Sequence, residues 1–247
     1  MARGFYLLFG VVAYLIFFAT FLYLIAFVGN LPWVPRTVAR GHEVVGLGHA
    51  IAADILLIAL FGLQHSVMAR QGFKKAWTRI VPEPLERSLY VLFASVALIV
   101  MFWWWHPIPM TIWSVSNPML VYLLWGLFGL GWLIVLLSTF LLSHFELFGL
   151  QQVWGHAGGR PAAAPEFRTP LFYRRVRHPL YSGFILAFWA TPAMSAGHLL
   201  LAAGMTVYIL IAIRHEERDL TALFGTQYEE YRGRAGMLIP RLRGRAP

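Results

Sequence analysis

The chain has 247 residues, 59% of them hydrophobic and 13% charged, with a formal net charge of +9. A globular domain in water carries about 25% charged residues, so the composition excludes a soluble fold, and basic residues parcelled between apolar runs exclude a nucleic-acid surface. With no cysteine, a disulfide framework, a thiolate-held metal and a cysteine nucleophile are excluded as well.

Four long apolar segments come first, at 4–28, 47–69, 85–106 and 118–143. Each supplies the about 20 helical residues that cross a hydrocarbon core. The first is too long for a signal-peptide core and has no clear small-residue cleavage site, so it reads as retained. A fifth apolar stretch, 180–213, is broken near 192–197 and reads as a two-helix hairpin. The expected fold class is all-α: a polytopic integral membrane protein with four long transmembrane helices, a C-terminal two-helix hairpin and a cytoplasmic amphipathic tail helix. One domain is expected over 1–247, with a four-helix part at 1–143 and a hairpin and tail at 177–240. The low-complexity piece 158–165 reads as a loop.

Charge sets the expected topology. The 70–87 loop carries Arg70, Lys74, Lys75, Arg79 and Arg87, whereas 106–118 has no Arg, Lys, Asp or Glu. Basic residues recur at Arg160, Arg168, Arg174, Arg175 and Arg177, and again in the tail from Arg214 to Arg245. The positive-inside rule makes the basic loops and both termini cytoplasmic, and the hairpin then enters and leaves on one side.

Polar residues within spans are costly and face protein or water. Asp54 and His65 fall near one helical face, with Asp54 read as structural. Gln64, His65 and Ser66 form either an interfacial cap bonded to a neighbouring helix or a substrate contact. Trp103, Trp104 and Trp105 read as an aromatic belt. The histidines show no metal spacing, and no phosphate-cradling G-x-G-x-x-G is present, so no metal and no dinucleotide fold are expected.

The chemistry-bearing region starts at Arg177-His178-Pro179-Leu180-Tyr181-Ser182-Gly183, where charge gives way to an apolar helix. Pro179 suits a first helical turn, and the arginine, the histidine and free backbone donors there suit an anionic group. The hairpin returns to Glu216-Glu217-Arg218-Asp219-Leu220, then Phe224, Gly225, Tyr228, Tyr231 and Arg234. A hairpin brings its ends together, so a cationic and an acidic cluster should meet, covered by a helix on which Tyr228, Tyr231 and Arg234 recur every three residues and project broadly alike.

These motifs, closed by Ile239-Pro240, resemble the isoprenylcysteine carboxyl methyltransferase superfamily. The segments 21–30, 64–70 and 86–92 look, within it, like the bacterial methanethiol S-methyltransferases. The resemblance implies S-adenosylmethionine as cofactor, held by Arg177, His178, Tyr181, Gly183, Glu216 and Glu217. It implies methylation of a small thiol, methanethiol to dimethyl sulfide, with Arg234 at the acceptor; His65, Tyr228 and Tyr231 are, by their chemistry, the candidates to accept or relay the thiol proton. Implied partners are the thiol and membrane lipid, in a bacterial inner membrane and without nucleic acid; the oligomeric state stays open. A larger lipidic thiol or isoprenylcysteine carboxylate as acceptor, a sterol-type reductase and a lipid-binding scaffold remain as alternatives.

Overall fold

The computed structural model describes residues 2–42, 45–159 and 167–241. Most of the 158–165 loop, with Arg160, and the basic tail positions Arg243 and Arg245 lie outside the described residues.

Ten α-helices are formed among the described residues: α1 (Ala2–Val28), α2 (Leu47–Ala69), α3 (Gln71–Trp77), α4 (Glu83–Trp104), α5 (Pro118–Leu142), α6 (His144–Leu147), α7 (Leu150–Ala157), α8 (Pro179–Trp189), α9 (Ala196–Phe224) and α10 (Thr226–Arg234). Five of them, α1, α2, α4, α5 and α9, are long and apolar enough to cross a membrane, and the chain is a polytopic α-helical integral membrane protein. Helix starts follow local chemistry. Asn117 caps α5 by accepting from the backbone N–H groups of Met119 and Leu120, ahead of Pro118 at the first helical position. Glu83 and Glu86 sit in the first turn of α4, where they complement the helix dipole.

The hairpin is asymmetric. The 11 residues of α8 rise about 17 Å, little more than half of the about 30 Å hydrocarbon core, whereas α9 has 29 residues and carries the acidic motif as its own continuation. The break between them is a short strand, β2 (Ala193–Ser195), laddered with β1 (Thr111–Ser114) from the uncharged loop. The 70–87 loop is also more ordered than a connecting loop, since α3 forms within it.

The chain falls into two compact units. The first holds α1, α2, α3, α4, α6 and α7. Here Tyr14 bonds His144 Nε2 at 2.8 Å, Phe17 stacks on Phe148 with ring centroids 3.9 Å apart, and Arg87 Nε donates to the Leu147 carbonyl at 2.8 Å. Of the three tryptophans, Trp103 and Trp104 are exposed as a belt requires, but Trp105 is buried; its indole N–H donates to the Val38 carbonyl at 3.2 Å. The belt is therefore two residues, and the third closes the end of the unit.

The second unit holds α5, α8, α10 and most of α9. This differs from the expected boundary at 143, because the fourth long helix sorts with the hairpin. The reason is a glycine contact: a Cβ on Gly131 would lie 2.7 Å from the Gly183 carbonyl, and one on Gly183 would lie 2.6 Å from the Gly131 carbonyl. Small residues let apolar helices approach backbone to backbone, and Trp132 packs edge-on against Phe184 and Phe188 beside them. Gly183 thus serves the packing of α8 against α5. Gly183→Ala is expected to destabilise the protein by about 1–3 kcal/mol, since the nearest atoms are the backbone of α5 and must move; an unchanged thermal midpoint in detergent would refute the contact.

Candidate functional site

In the second unit, the backbone of 175–178 runs beside 235–237. Gly236 N–H donates to the Arg175 carbonyl at 2.9 Å, Arg177 N–H to Gly236 at 2.8 Å and His178 N–H to Met237 at 3.1 Å. Glycine is required at 236 because a Cβ there would collide with the Ile239 carbonyl. Ser182 extends the seam by donating to the Leu238 carbonyl at 2.5 Å. The tail after α10 is thereby fixed against the start of α8.

Arg177 organises the cluster. Its Nε donates to Glu217 Oε1 at 2.7 Å, and its Nη1 donates to the carbonyls of Ala235 at 2.7 Å and Arg232 at 3.3 Å. One side chain therefore joins the α8 start, α9 and the end of α10. His178 is the cap residue of α8 yet makes no side-chain capping bond, which leaves its Nε2 3.1 Å from Glu217 Oε1. Its Nδ1 lies 3.9 Å from Glu216 Oε2. Glu217 Oε2 has a looser neighbour, Arg232 Nε at 3.8 Å. Tyr181 lies over His178 with ring centroids 5.7 Å apart. The expected meeting of the cationic and acidic motifs is realised, with Glu217 largely enclosed and Glu216 exposed.

The two tyrosines of α10 behave differently from each other. Tyr231 donates its hydroxyl to the Tyr173 carbonyl at 2.5 Å and lies 3.3 Å from the Val176 carbonyl. Burial pushes its phenol up to about 12, against a lowering by Arg177 and with a further rise from Glu217. Tyr228 is 1% exposed, and its buried hydroxyl has no hydrogen-bond partner. Burial first, then Glu217, pushes that phenol upward too. Both phenols are thus held in their protonated form, and Tyr231 anchors the tail through the Tyr173 and Val176 carbonyls.

Arg234 does not share their face. Tyr228, Tyr231 and Ala235 are buried together with Phe167, Leu220 and Phe224 around them, whereas Arg234 is exposed. Each three-residue step falls about 60° short of a turn, which carries position 234 well round the helix. His65 belongs to the first unit, where its Nε2 bonds the Tyr90 hydroxyl at 2.8 Å and its ring stacks near Phe61. That is the helix-to-helix bond of the capping alternative.

The sequence reading missed Tyr173, buried beside this cluster with its phenol pushed up by burial and by Glu216. It also missed Arg232, and Ala235 as the position that lets the tail close. The 228, 231, 235 spacing of one helical face was the available signal for the last.

Compared with known proteins, the chain is 53% identical to methanethiol S-methyltransferase 1 of Bradyrhizobium diazoefficiens, over 94% of this chain and 81% of that protein. It is 51% identical to methanethiol S-methyltransferase of Mycobacterium tuberculosis, over 97% and 98% respectively, and 48% identical to that of Crocosphaera subtropica, over 97% and 93%. No family model matches the chain, and no solved structure does.

Proposed function

This chain belongs to the methanethiol S-methyltransferase family, and we propose on that premise that it transfers the methyl group of S-adenosylmethionine to methanethiol, giving dimethyl sulfide. The observation that carries the reading to particular residues is the Arg177, His178 and Glu217 cluster, which sits in the segment where the motif resemblance is densest.

The residues fit such a cofactor. Its amino-acid end carries both charge signs, and the cluster offers both: the looser Glu217 Oε2 for a cation, and Arg177, His178 and the α8 N-terminus on the other side. The partnerless Tyr228 hydroxyl is a buried donor that a bound acceptor would satisfy. Arg177, His178, Tyr181, Glu216 and Glu217 are the holding set. When bound, S-adenosylmethionine supplies an electrophilic methyl carbon on a cationic sulfur. A thiolate is the competent attacking form of a thiol, and Arg234 is the cation assigned to favour it. Arg177 keeps the tail seated, so that the acceptor end is held in register with the cofactor end.

The positive-inside rule, applied to the basic 70–87 and 167–178 segments and the tail, supports a site at the cytoplasmic face of a bacterial inner membrane with both termini inside. A small apolar thiol partitions into the bilayer and needs no aqueous route.

The direct test is incubation of the purified protein with S-adenosylmethionine and methanethiol, following dimethyl sulfide in the headspace. Product that requires both substrates supports the reading; cofactor binding without product would move the acceptor to a larger thiol. Tyr228→Phe separates folding from binding. A buried hydroxyl without a partner contributes nothing favourable to folding, so the thermal midpoint should stay level or rise. Affinity for S-adenosylhomocysteine should fall about fivefold or more, the loss of a hydrogen bond worth about 1 kcal/mol. Unchanged affinity by calorimetry would remove Tyr228 from the holding set.

A further inference from the structure

In the second unit, the chain that follows α10 does not run out over the surface. It pairs in parallel with the segment that enters α8, through Val176 and Gly236, so from Ala235 onward it travels in the direction of α8. At 237–239 it bends and comes back. A Cβ on Gly236 would lie 3.2 Å from the Arg241 backbone nitrogen, and the Arg241 guanidinium donates to the Gly233 carbonyl. The turn is thus closed at its base by Gly236 and Arg241, and its tip carries Met237, Leu238 and Ile239. Ile239 is 74% exposed and Met237 38%.

The depth of that tip follows from α8. A Cβ on Gly183 would lie 2.9 Å from the Val135 nitrogen, and one on Gly131 would lie 2.7 Å from the Ala187 nitrogen. Helix α8 therefore runs antiparallel to α5, with Gly183 level with the 131–135 turn. Val135 stands two turns before Leu142, the end of α5, about 10 Å inside that end. Ser182, next to Gly183, donates to the Leu238 carbonyl at 2.5 Å. The tip is thereby held level with the last two turns of a membrane-spanning helix, where α5 exposes Leu136, Leu137 and Phe140.

We propose that the 236–241 turn is a membrane anchor, in which leaflet lipid covers Met237 and Ile239 and so holds the tail down on α8. Apolar side chains at that depth meet acyl chains, whereas in water the same patch would be a liability. The cations stand where headgroups belong. Arg241 is exposed at the base of the turn, and Arg174, Arg175, Arg232 and Arg234 are exposed on the two segments that lead into the seam, so their charge complements anionic phospholipid. The turn also begins next to Ala235, whose carbonyl accepts from Arg177 Nη1 at 2.7 Å. Lipid that seats the turn then seats Arg177 against Glu217 as well. That consequence rests on the reading of the Arg177, His178 and Glu217 cluster as the cofactor's holding set; the anchor itself does not.

The absence of cysteine from the chain makes single-cysteine labelling direct. Ile239→Cys, Phe140→Cys and Glu230→Cys, each carrying a nitroxide, are reconstituted into vesicles of phosphatidylcholine and phosphatidylglycerol. Collisions with oxygen, which concentrates in lipid, are compared with those of a water-soluble nickel chelate. The label at 239 should behave like the one at 140, on the exposed side of α5, with oxygen dominant, while 230, exposed on α10, should be dominated by nickel. Nickel dominance at 239 would overturn the anchor. So would protection from both reagents, or spin–spin broadening at 239 that vanishes on dilution with unlabelled protein, which would put a second copy of this chain over the turn. Ile239→Asp and Ile239→Leu test the consequence by equilibrium binding of S-adenosylhomocysteine in the same vesicles. Aspartate should weaken binding about tenfold, because only the seated fraction binds, and leucine should stay within about twofold. Equal affinity in Ile239→Asp would sever the turn from the cluster. No binding even by the natural protein would instead withdraw the cofactor reading, with the label depths still deciding the anchor.

Discussion

Replacing Glu217 by glutamine is expected to weaken S-adenosylmethionine binding by about tenfold to a hundredfold, the loss of one charge-assisted contact of about 1.5–3 kcal/mol. The cost to folding should be smaller. Glutamine is the same size and still offers one carbonyl oxygen to Arg177 Nε, which Glu217 accepts at 2.7 Å, and Arg177 keeps its bonds to the Ala235 and Arg232 carbonyls. What disappears is the negative charge that faces His178 and Arg232. Glu217→Leu is the informative contrast, because it strands the half-buried Arg177 guanidinium, and removing one partner of a buried pair costs about 3–5 kcal/mol. Calorimetry with S-adenosylhomocysteine and a thermal midpoint, read on both variants, separate the roles. Equal affinity for Glu217→Gln and the natural protein would confine Glu217 to holding the tail and would transfer cofactor contact to Glu216.

The spans were legible because bilayer thickness imposes a length that few other constraints imitate, and the capping chemistry at Asn117-Pro118 and Pro179 is local. The meeting of Arg177 and His178 with Glu217 was legible for a topological reason: an interrupted apolar stretch between two charged motifs can only return them to the same side. The partner of α5 was not legible. A helix that is hydrophobic all round displays no face, so nothing in its residues pointed to Gly131 against Gly183 until both backbones were placed. Trp105 is a similar case, since only the position of the Val38 carbonyl distinguishes a buried indole from the two exposed ones beside it. At His65 the sequence left a cap and a substrate contact open, and the bond to Tyr90 favours the cap because it uses the imidazole between two helices. Asp54 was read as structural, and its burial and backbone bond agree; its partner His106 lies too far along the chain for spacing to reveal.

Arg234→Ala is expected to lower the rate of methyl transfer at neutral pH by about tenfold to a thousandfold while leaving cofactor affinity within a factor of two or so, because a cation beside the acceptor acts by raising the fraction of thiol present as the reactive thiolate. The structure makes this substitution unusually clean to interpret. Arg234 is exposed at the last turn of α10, off the face that buries Tyr228, Tyr231 and Ala235, and surface changes away from packed or bonded positions alter stability by about 0.5 kcal/mol or less. A fall in rate could then not be charged to loss of fold. Arg234→Lys sharpens the reading: a point charge restores a general electrostatic effect, but not a planar fork holding two acceptors at once. Recovery with lysine would mean that Arg234 favours the thiolate by its field alone, and continued loss would mean that it positions the acceptor directly. A rate unchanged in Arg234→Ala would shift that duty to Arg232, whose Nε already stands 3.8 Å from Glu217, and Arg232→Ala would be the variant to lose activity.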